Sequence, residues 1–569
     1  MKWNHYKPNL KKINNIKELY DIPQNIAVIL ENRGLSKAED LKYFLSLEHC
    51  QFHNPFLMKG MKKVVDRIFK TITLNKNIFI FGDCDADGIT STSLIYNGIR
   101  FYGGKAKAFI PNREKEGHGL SIEAIDQALD YKSDILITCD CGMGDYEIIK
   151  YANQYELDVI IIDHHFFNNK LPNAFAILNP KQLGCQYPFK DLSGSGIALK
   201  LIQALINNTD LNQELFNESI NFAILGTLSD MVPLKGENRL IVYHGLKNIS
   251  KTSNLGFQKL LKNFKTKKKL SVFDLSVYVI PKINSSARIG SSNNIFQFLT
   301  SKQKEIVNLF YNEIELNNKR RLNIQKIILN EVFKFIKNEI NLNKEKAIIC
   351  FSKNWNYGIL GLIASKIKNH FNRPVILISF DNNGYGRGSA RSIKNFNIIE
   401  ALDYVKVHLV RYGGHDMAAG FEIKESDFKI FKELLLGFVN LKLKKKNLKK
   451  TLNIDLELKF SDLNFKFLKF LKKLEPYGFK NDHPIFKVKN VKVIGNPKVI
   501  GNGEHIKFKV EQNKFVYNVI GYGLIKLYDI LISGFPLDIV FFIEQNNWKG
   551  RDIVQLNVRD IRLSNIKVK

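Results

Sequence analysis

The stretch Phe81-Gly82-Asp83-Cys84-Asp85-Ala86-Asp87-Gly88-Ile89-Thr90 sets three carboxylates at alternate positions directly behind the apolar run Ile78-Phe79-Ile80-Phe81. Like charges this close repel, so stability alone gives no reason to gather them, and a bound cation is the usual remedy. An Asp-x-Asp-x-Asp-Gly run also resembles a calcium loop, but the later Glu of that loop is missing here. Three further segments repeat the pattern. Asp140 follows the apolar run Ile135–Cys139, Asp163-His164-His165 follows Val159–Ile162, and Asp230 ends a helix-like run in Gly226-Thr227-Leu228-Ser229-Asp230-Met231-Val232-Pro233-Leu234. Singly, each is an ordinary turn carboxylate or a core-edge histidine. Together they point to one site, and Asp with His suits manganese or a related transition metal better than calcium. Cys84, Cys139 and Cys141 lie beside these carboxylates, but alternation at a strand end turns them inward as small apolar side chains.

The elements that must position these residues can be read from periodicity. Short apolar runs at Ile78–Phe81, Ala106–Ile110, Ile135–Cys139 and Val159–Ile162 predict strands. They alternate with helical spacing from about Thr90 to Phe101, at Ile122–Tyr131 and at Tyr146–Tyr155. Apolar strands separated by helices imply a parallel sheet covered on both faces. In such a sheet ligands collect at the carboxyl ends of the strands, where three of the four clusters lie. Residues 302–340 read as one long connecting helix, followed by a second α/β segment with strands near Ala347–Cys350 and Val375–Ile378. Beyond Leu441 the texture changes to strict alternation at Leu452, Ile454, Leu456, Leu458 and Phe460, again at Ile506, Phe508 and Val510, and at Val554, Leu556 and Val558. With Gly-Asn turns at Gly495-Asn496 and Gly501-Asn502, this predicts a small all-β barrel.

Composition sets the outer limits. At roughly 150 residues per domain, 569 residues allow about three or four domains. A hydrophobic fraction of 45% excludes a disordered chain, and no apolar run approaches a bilayer span. The first residues lack the apolar stretch of a secretory signal, and six cysteines without a Cys-x-x-Cys pair exclude a disulfide scaffold; a cytoplasmic location is expected. The balance of 85 basic against 55 acidic residues gives +30, which permits a polyanionic partner. The same excess follows from codon drift in a Lys-, Asn- and Ile-rich sequence, so charge by itself decides nothing.

The ordered set Gly-Asp-x-Asp-x-Asp-Gly, x-Asp-x-Gly, Asp-His-His and Gly-Thr-x-x-Asp-x-x-Pro-Leu resembles the four motifs of the DHH phosphoesterase superfamily. Downstream, Pro281-Lys282-Ile283-Asn284-Ser285-Ser286-Ala287-Arg288-Ile289-Gly290, Gly388-Ser389-Ala390-Arg391-Ser392 and Tyr412-Gly413-Gly414-His415 narrow the resemblance to the RecJ single-stranded-DNA exonucleases. So do Leu474-Glu475-Pro476-Tyr477-Gly478 and Trp548-Lys549-Gly550-Arg551, and the match runs from about Phe44 to the C-terminus. It departs from the family pattern at Ala287, His118, Asn356, Lys480 and Asp482, none of them an expected ligand.

The resemblance implies a 5′→3′ exonuclease specific for single-stranded DNA, serving recombination and repair, that releases mononucleotides with two Mn2+ or Mg2+ ions. It implies Asp140 as the ligand bridging the ions, with Asp85, Asp87, His164 and Asp230 completing the set and Asp83 as an extra ligand or orienter. Asp163 then holds an imidazole, and His165 faces the scissile phosphate. Arg391 and Ser389, with Arg113 and Arg288, form a pocket for the terminal 5′ phosphate, and His415 faces substrate. For each Arg the alternative is a solvated surface charge. In the barrel, Lys507, Lys509, Tyr517 and Trp548 are candidates for strand binding, or else core and rim residues. Single-stranded DNA is the expected partner, with a single-strand-binding protein and a helicase as further candidates, and no membrane.

The expected architecture is α/β: an N-terminal extension (1–55), a parallel-sheet DHH catalytic domain (56–300), a connecting helix (301–342), an α/β DHH-associated substrate-binding domain (343–440) and a C-terminal OB-fold β-barrel (451–569). Two other functions compete. A phosphodiesterase for very short oligonucleotides or cyclic dinucleotides shares the metal motifs but usually lacks a barrel. A non-catalytic binding protein is disfavoured because every expected acidic ligand is present.

Overall fold

Five segments, each too short for a helix, form one parallel sheet. In the computed structural model its order is Lys105–Phe109, Asn77–Gly82, Ser133–Cys139, Asp158–Ile162, Ala176–Leu178. The structure describes all residues except 113–118, 168–169, 208–212, 265–268, 549–550 and 565–569, and leaves out the side chains of 287, 545–548 and 551–553. The short Ala176–Leu178 strand goes beyond what the sequence pattern predicts. One face of the sheet packs Phe79, Phe81, Leu136, Val159 and Ile161 against helices Ile122–Asp130 and Tyr146–Gln154. The opposite face, carrying Ile78, Ile80, Ile135, Ile137 and Ile160, is equally buried, as expected of a parallel sheet with crossover helices.

Register decides where the carboxylates go. Gly82 pairs with Cys139, and Cys139 with Ile162, so the next residues, Asp83, Asp140 and Asp163, emerge side by side. The ladder runs one step further: Asp83 N–H donates to Cys139 O (3.1 Å), Asp140 N–H to Ile162 O (2.8 Å) and Asp163 N–H to Leu178 O (3.2 Å). The chain winds first to one side of Asn77–Gly82 and then to the other, so Asp83 and Asp140 sit at the point where strand order reverses.

The helix after the first strand spans Ala86–Phe101, four residues earlier than its apolar spacing indicates. Asp85 is the reason. Its side chain caps the helix, accepting from Asp87 N–H (2.9 Å) and Gly88 N–H (3.2 Å), which draws Asp87 into the first turn.

The connecting helix, Lys304–Glu339, has 36 residues and a length of about 54 Å. Its buried positions Ile314, Asn317, Arg321, Gln325, Ile328, Val332 and Ile336 follow three- and four-residue steps along one face. The second sheet has the order Arg411–His415, Ala418–Lys424, Tyr385–Arg391, Val375–Phe380, Ile348–Ser352, antiparallel except for the last pair. Its three Gly-rich strands are not announced by any apolar run.

These elements belong to one compact unit, residues 53–232 and 241–450. The other comprises residues 1–52, 233–240 and 451–569. In it five strands close on themselves, because Phe486–Ile500 pairs with both His505–Gln512 and Leu537–Trp548, and Phe515–Gly521 with Arg551–Leu563. The alternation at Leu452–Phe460 is not one strand. Thr451–Ile454 pairs with Lys2–His5, Leu456–Glu457 joins the barrel, and Phe460 begins a 3-10 turn. The first 52 residues, expected as an N-terminal extension, pack into this unit: Ile13, Ile26, Ile29, Leu41 and Phe44 share one core with Phe460, Phe467, Phe486 and Phe541. The Leu474–Gly478 motif serves this unit. The buried Arg239 guanidinium donates to Lys473 O (2.9 Å), Glu475 O (2.6 Å) and Phe44 O (2.5 Å) while lying over the Phe44 ring.

Candidate functional site

At the carboxyl edge of the parallel sheet, three overlapping groups bring ligand atoms within 4.8 Å of one another: Asp83, Asp85 and Asp140; Asp87, His164 and Asp230; Asp140, His164 and His165. His164 Nε2 lies 3.3 Å from Asp140 Oδ1 and 3.5 Å from Asp230 Oδ2. None of the three groups includes a cysteine, and Cys84, Cys139 and Cys141 are buried.

Each side chain is held from behind. Asp87 is fully buried, and its two oxygens accept from Gly194 N–H (2.7 Å) and Ser195 N–H (2.9 Å), the first amides of helix Gly194–Asn207. A helix N-terminus thus offsets a buried carboxylate, and the Ser195 side chain adds a further hydrogen bond to it. Two glycines allow the approach: a Cβ at Gly226 would collide with Asp87 and Ser195, and one at Gly194 would sit 2.8 Å from Asp140 Oδ1. Asp140 itself takes φ 64°, the left-handed region that Asp tolerates at a cost of about 1 kcal/mol.

Asp163 does a different job. Its Oδ1 accepts from the backbone of His164 (2.7 Å) and His165 (3.1 Å) and lies 2.7 Å from His165 Nδ1, while Oδ2 accepts from Met143 N–H (3.1 Å). The imidazole it holds is that of His165. The His164 ring instead hydrogen-bonds the backbone of Leu192; because Nε2 has no hydrogen-bond partner, that bond falls to Nδ1 and leaves Nε2 facing the carboxylates.

The electrostatics follow from burial. Burial, then the charges of Asp83 and Asp87, raise Asp85 to about 6. Burial, then Asp87 and Asp85, raise Asp230 to about 8, and Asp140 is pushed well above the carboxylate range for the same reasons. Burial lowers His164 to about 3, so it is a neutral donor. His165 goes the other way: its hydrogen bond to Asp163 raises it to about 9, a cation at neutral pH. For Asp163, burial pushes the carboxyl up, but the hydrogen bond and charge of His165 outweigh it and hold the group low.

Asp140 Oδ1 and His164 Nε2 are buried polar atoms without a hydrogen-bond partner. Orphaned acceptors inside a ring of like charges fit a divalent cation, and carboxylates with one imidazole fit manganese or magnesium.

The predicted anion-binding residues gather elsewhere in the same unit. Arg391 donates to Ser389 Oγ (3.1 Å) and Ala390 O (2.8 Å), and a Cβ at Gly361 would lie 2.5 Å from Arg391 Nη2. Arg288 donates to Gly358 O (2.7 Å). All three therefore converge on the first turns of helix Tyr357–Phe371, whose N-terminus itself favours an anion. His415 lies 71% exposed on the edge strand, one strand beyond Ala418, the register partner of Arg391. None of the three groups of ligand atoms includes it. Arg113 and His118 fall outside the described residues. In the barrel Lys507 and Lys509 are exposed, Tyr517 packs edge-on against the core residue Phe460 at 4.9 Å, and the Trp548 side chain is outside the described set.

Sequence reasoning missed several supports. Asn284 Oδ1 accepts from Ala86 N–H (3.0 Å) behind the aspartate turn. Asn179 donates to His165 O (3.0 Å), and Lys181 donates to His164 O. Ser193-Gly194-Ser195-Gly196, a small-residue start to a helix, was a readable signal for the Asp87 cradle.

Three family models match this chain: the DHH family N-terminal domain over residues 77–227, the DHHA1 domain over 344–441 and the RecJ OB domain over 454–560. The single-stranded-DNA-specific exonuclease RecJ of Bacillus subtilis is 32% identical over 573 residues, covering 99% of this chain and 71% of that protein. The chain belongs to the RecJ family. The RecJ of Haemophilus influenzae is 28% identical, over 89% of this chain and 91% of its own. The crystal structure of Thermus thermophilus RecJ with Mn2+ shares the fold, with a TM-score of 0.82 at 24% identity, covering 99% of this chain and 79% of that one. A manganese-bound exonuclease RecJ structure aligns with a TM-score of 0.60 at 27% identity, over 68% of this chain and 96% of its own.

Proposed function

We propose that this RecJ-family chain is a single-stranded-DNA-specific exonuclease that removes mononucleotides in the 5′→3′ direction, using two manganese or magnesium ions. One observation carries the reading. Asn284 and Arg288 lie one turn apart on helix Ile280–Ile289, a rise of about 6 Å, and Asn284 braces the aspartate turn while Arg288 holds the anion pocket. A cation-seeking cluster and an anion-seeking pocket are thus fixed within reach of one strand end.

In this reading Asp140 would be the ligand shared by the ions, and Asp83, Asp85, Asp87, His164 and Asp230 would complete the set that holds them. When bound, the ions supply Lewis acidity and lower the pKa of water enough for attack on phosphorus near neutral pH. His165, held as a cation by Asp163, stabilises charge on the scissile phosphate or delivers a proton to the leaving oxygen. Arg391, Ser389 and Arg288, with Arg113, receive the terminal 5′ phosphate, and His415 contacts the strand beyond them. The barrel, with exposed Lys507 and Lys509, binds the single strand. The setting is cytoplasmic repair and recombination, with a helicase opening the duplex and a single-strand-binding protein covering the product. No helix among the described residues is long and apolar enough to cross a membrane.

The test is digestion of matched 5′- and 3′-labelled single strands with and without manganese. The expected result is metal-dependent release of label from the 5′ end first. Release first from the 3′ end, or cutting confined to dinucleotides, refutes the assignment.

A further inference from the structure

The loop that carries His164 and His165 is gripped on both sides. Asp163 takes its amides, while Lys181 and Asn179 take the carbonyls of His164 and His165. Asn179 Oδ1 also accepts from Lys181 N–H (2.9 Å), and Gln182 closes the same turn onto Ile177 O (2.7 Å). Phe166 follows directly on this braced backbone. That side chain is 86% exposed, the most exposed of the large hydrophobic side chains described. It is also supported: the Lys181 ammonium stands 4.3 Å from the ring centroid. The same ammonium donates to His164 O, so the prop is itself tied to the histidine loop.

An exposed aromatic is ordinarily unremarked on a protein surface. This one directly follows His165, the imidazole that the exonuclease reading turns toward the scissile phosphate. A cation on one face leaves the π system polarised toward a second ring on the other. Stacking on a nucleobase is tolerant of sequence, because every base has a π face, and it requires an unpaired base.

We propose that Phe166, propped by Lys181, is the stacking platform for the nucleobase beside the scissile phosphate. It binds substrate, with the Lys181 ammonium backing the ring. The proposal deepens the exonuclease reading and rests on it. A stacked pair present in both bound substrate and transition state acts on KM and leaves kcat unchanged.

The experiment is a cycle between protein and substrate. The first cleavage of 5′-phosphorylated single strands is measured with one abasic residue placed in turn at each of the first few positions, for parent, Phe166→Ala and Phe166→Trp. At one position the parent is expected to lose about five- to a hundredfold through KM when the base is removed. Phe166→Ala should lose a similar factor on the intact strand and nothing more on that abasic strand, and Phe166→Trp should behave as the parent. Because Phe166 is 86% exposed, truncation leaves packing intact, and equal thermal unfolding of the variants checks this. Losses that multiply at every position, or an unimpaired Phe166→Ala, overturn the proposal while the parent still cuts. A parent that leaves single strands intact in manganese overturns the exonuclease reading and the proposal with it.

Discussion

The carboxylate cluster and the arginine pocket are opposites in how each tolerates its own charge. The cluster sits on a parallel sheet, with Asp87, Asp140 and His164 buried and like charges facing one another. The pocket sits on Gly-rich antiparallel strands and a helix N-terminus, where each cation already holds a carbonyl or hydroxyl. Without its ions the cluster opposes folding. The pocket without its phosphate costs little. Two kinds of substitution should therefore behave differently: a lost carboxylate should relieve the apo protein while destroying activity, and a lost arginine should weaken substrate use without relieving anything.

Asp140→Asn is the sharpest form of that contrast. Asn tolerates the positive φ equally well and keeps the shape, so only the charge is lost. Cleavage should fall by more than the roughly hundredfold that losing an outer hydrogen-bond partner of a metal ligand costs. The metal-free variant should melt above the metal-free parent. Activity within tenfold of the parent in excess manganese, or a lower apo melting temperature, breaks the comparison.

The pH dependence of the metal-free protein follows with a definite sign. Asp230 rises to about 8 from an ordinary 3.8, and Asp85 to about 6, so the folded state keeps protons that the unfolded state has released. That stability is present at low pH and is lost as pH climbs through these folded values. Thermal unfolding in chelator should fall from about pH 5 to pH 8, and manganese should flatten the slope. A metal-free melting temperature that rises over this window contradicts the electrostatics of the cluster.

On the pocket side, Arg391→Ala removes a charge-assisted contact worth about 1.5–3 kcal/mol, so cleavage of 5′-phosphorylated strands should drop about ten- to a hundredfold. Strands ending in a 5′ hydroxyl should lose less, and apo melting should be nearly unchanged. Equal losses on both substrates place the terminal phosphate somewhere else.

The same two regions differ in how openly the sequence displays them. Asp83, Asp140 and Asp163 were legible because each follows an apolar strand directly, so local pattern and sheet register coincide. The strands that present Ser389, Arg391 and His415 were not, because Gly386, Gly388, Gly413, Gly414 and Gly420 give a pleated surface no apolar signature. Ala176–Leu178 was too short to register, and with it went Asn179 and Lys181, which grip the histidine loop. The first 52 residues read as an extension because their partners, Phe460 to Phe541, lie more than four hundred residues away. Local periodicity carries no record of such pairing.

Gly361→Ala tests the smallest effect, and it has opposite signs on stability and activity. Gly361 lies inside helix Tyr357–Phe371, where Ala adds about 0.5–1 kcal/mol of stability by narrowing the unfolded chain. Its new Cβ, however, would stand 2.5 Å from Arg391 Nη2 and 3.2 Å from Ser389 Oγ. The guanidinium is the far end of a flexible side chain, so it yields, and the helix stays intact. What is lost is the bond that aims Arg391 along Ser389, worth about 0.5–1.5 kcal/mol, or roughly two- to tenfold in rate on 5′-phosphorylated strands. The melting temperature should rise slightly while that rate falls, and 5′-hydroxyl strands should be spared. A variant that is both less stable and equally impaired on the two substrates would mean that Gly361 serves helix packing, with no part in aiming the arginine.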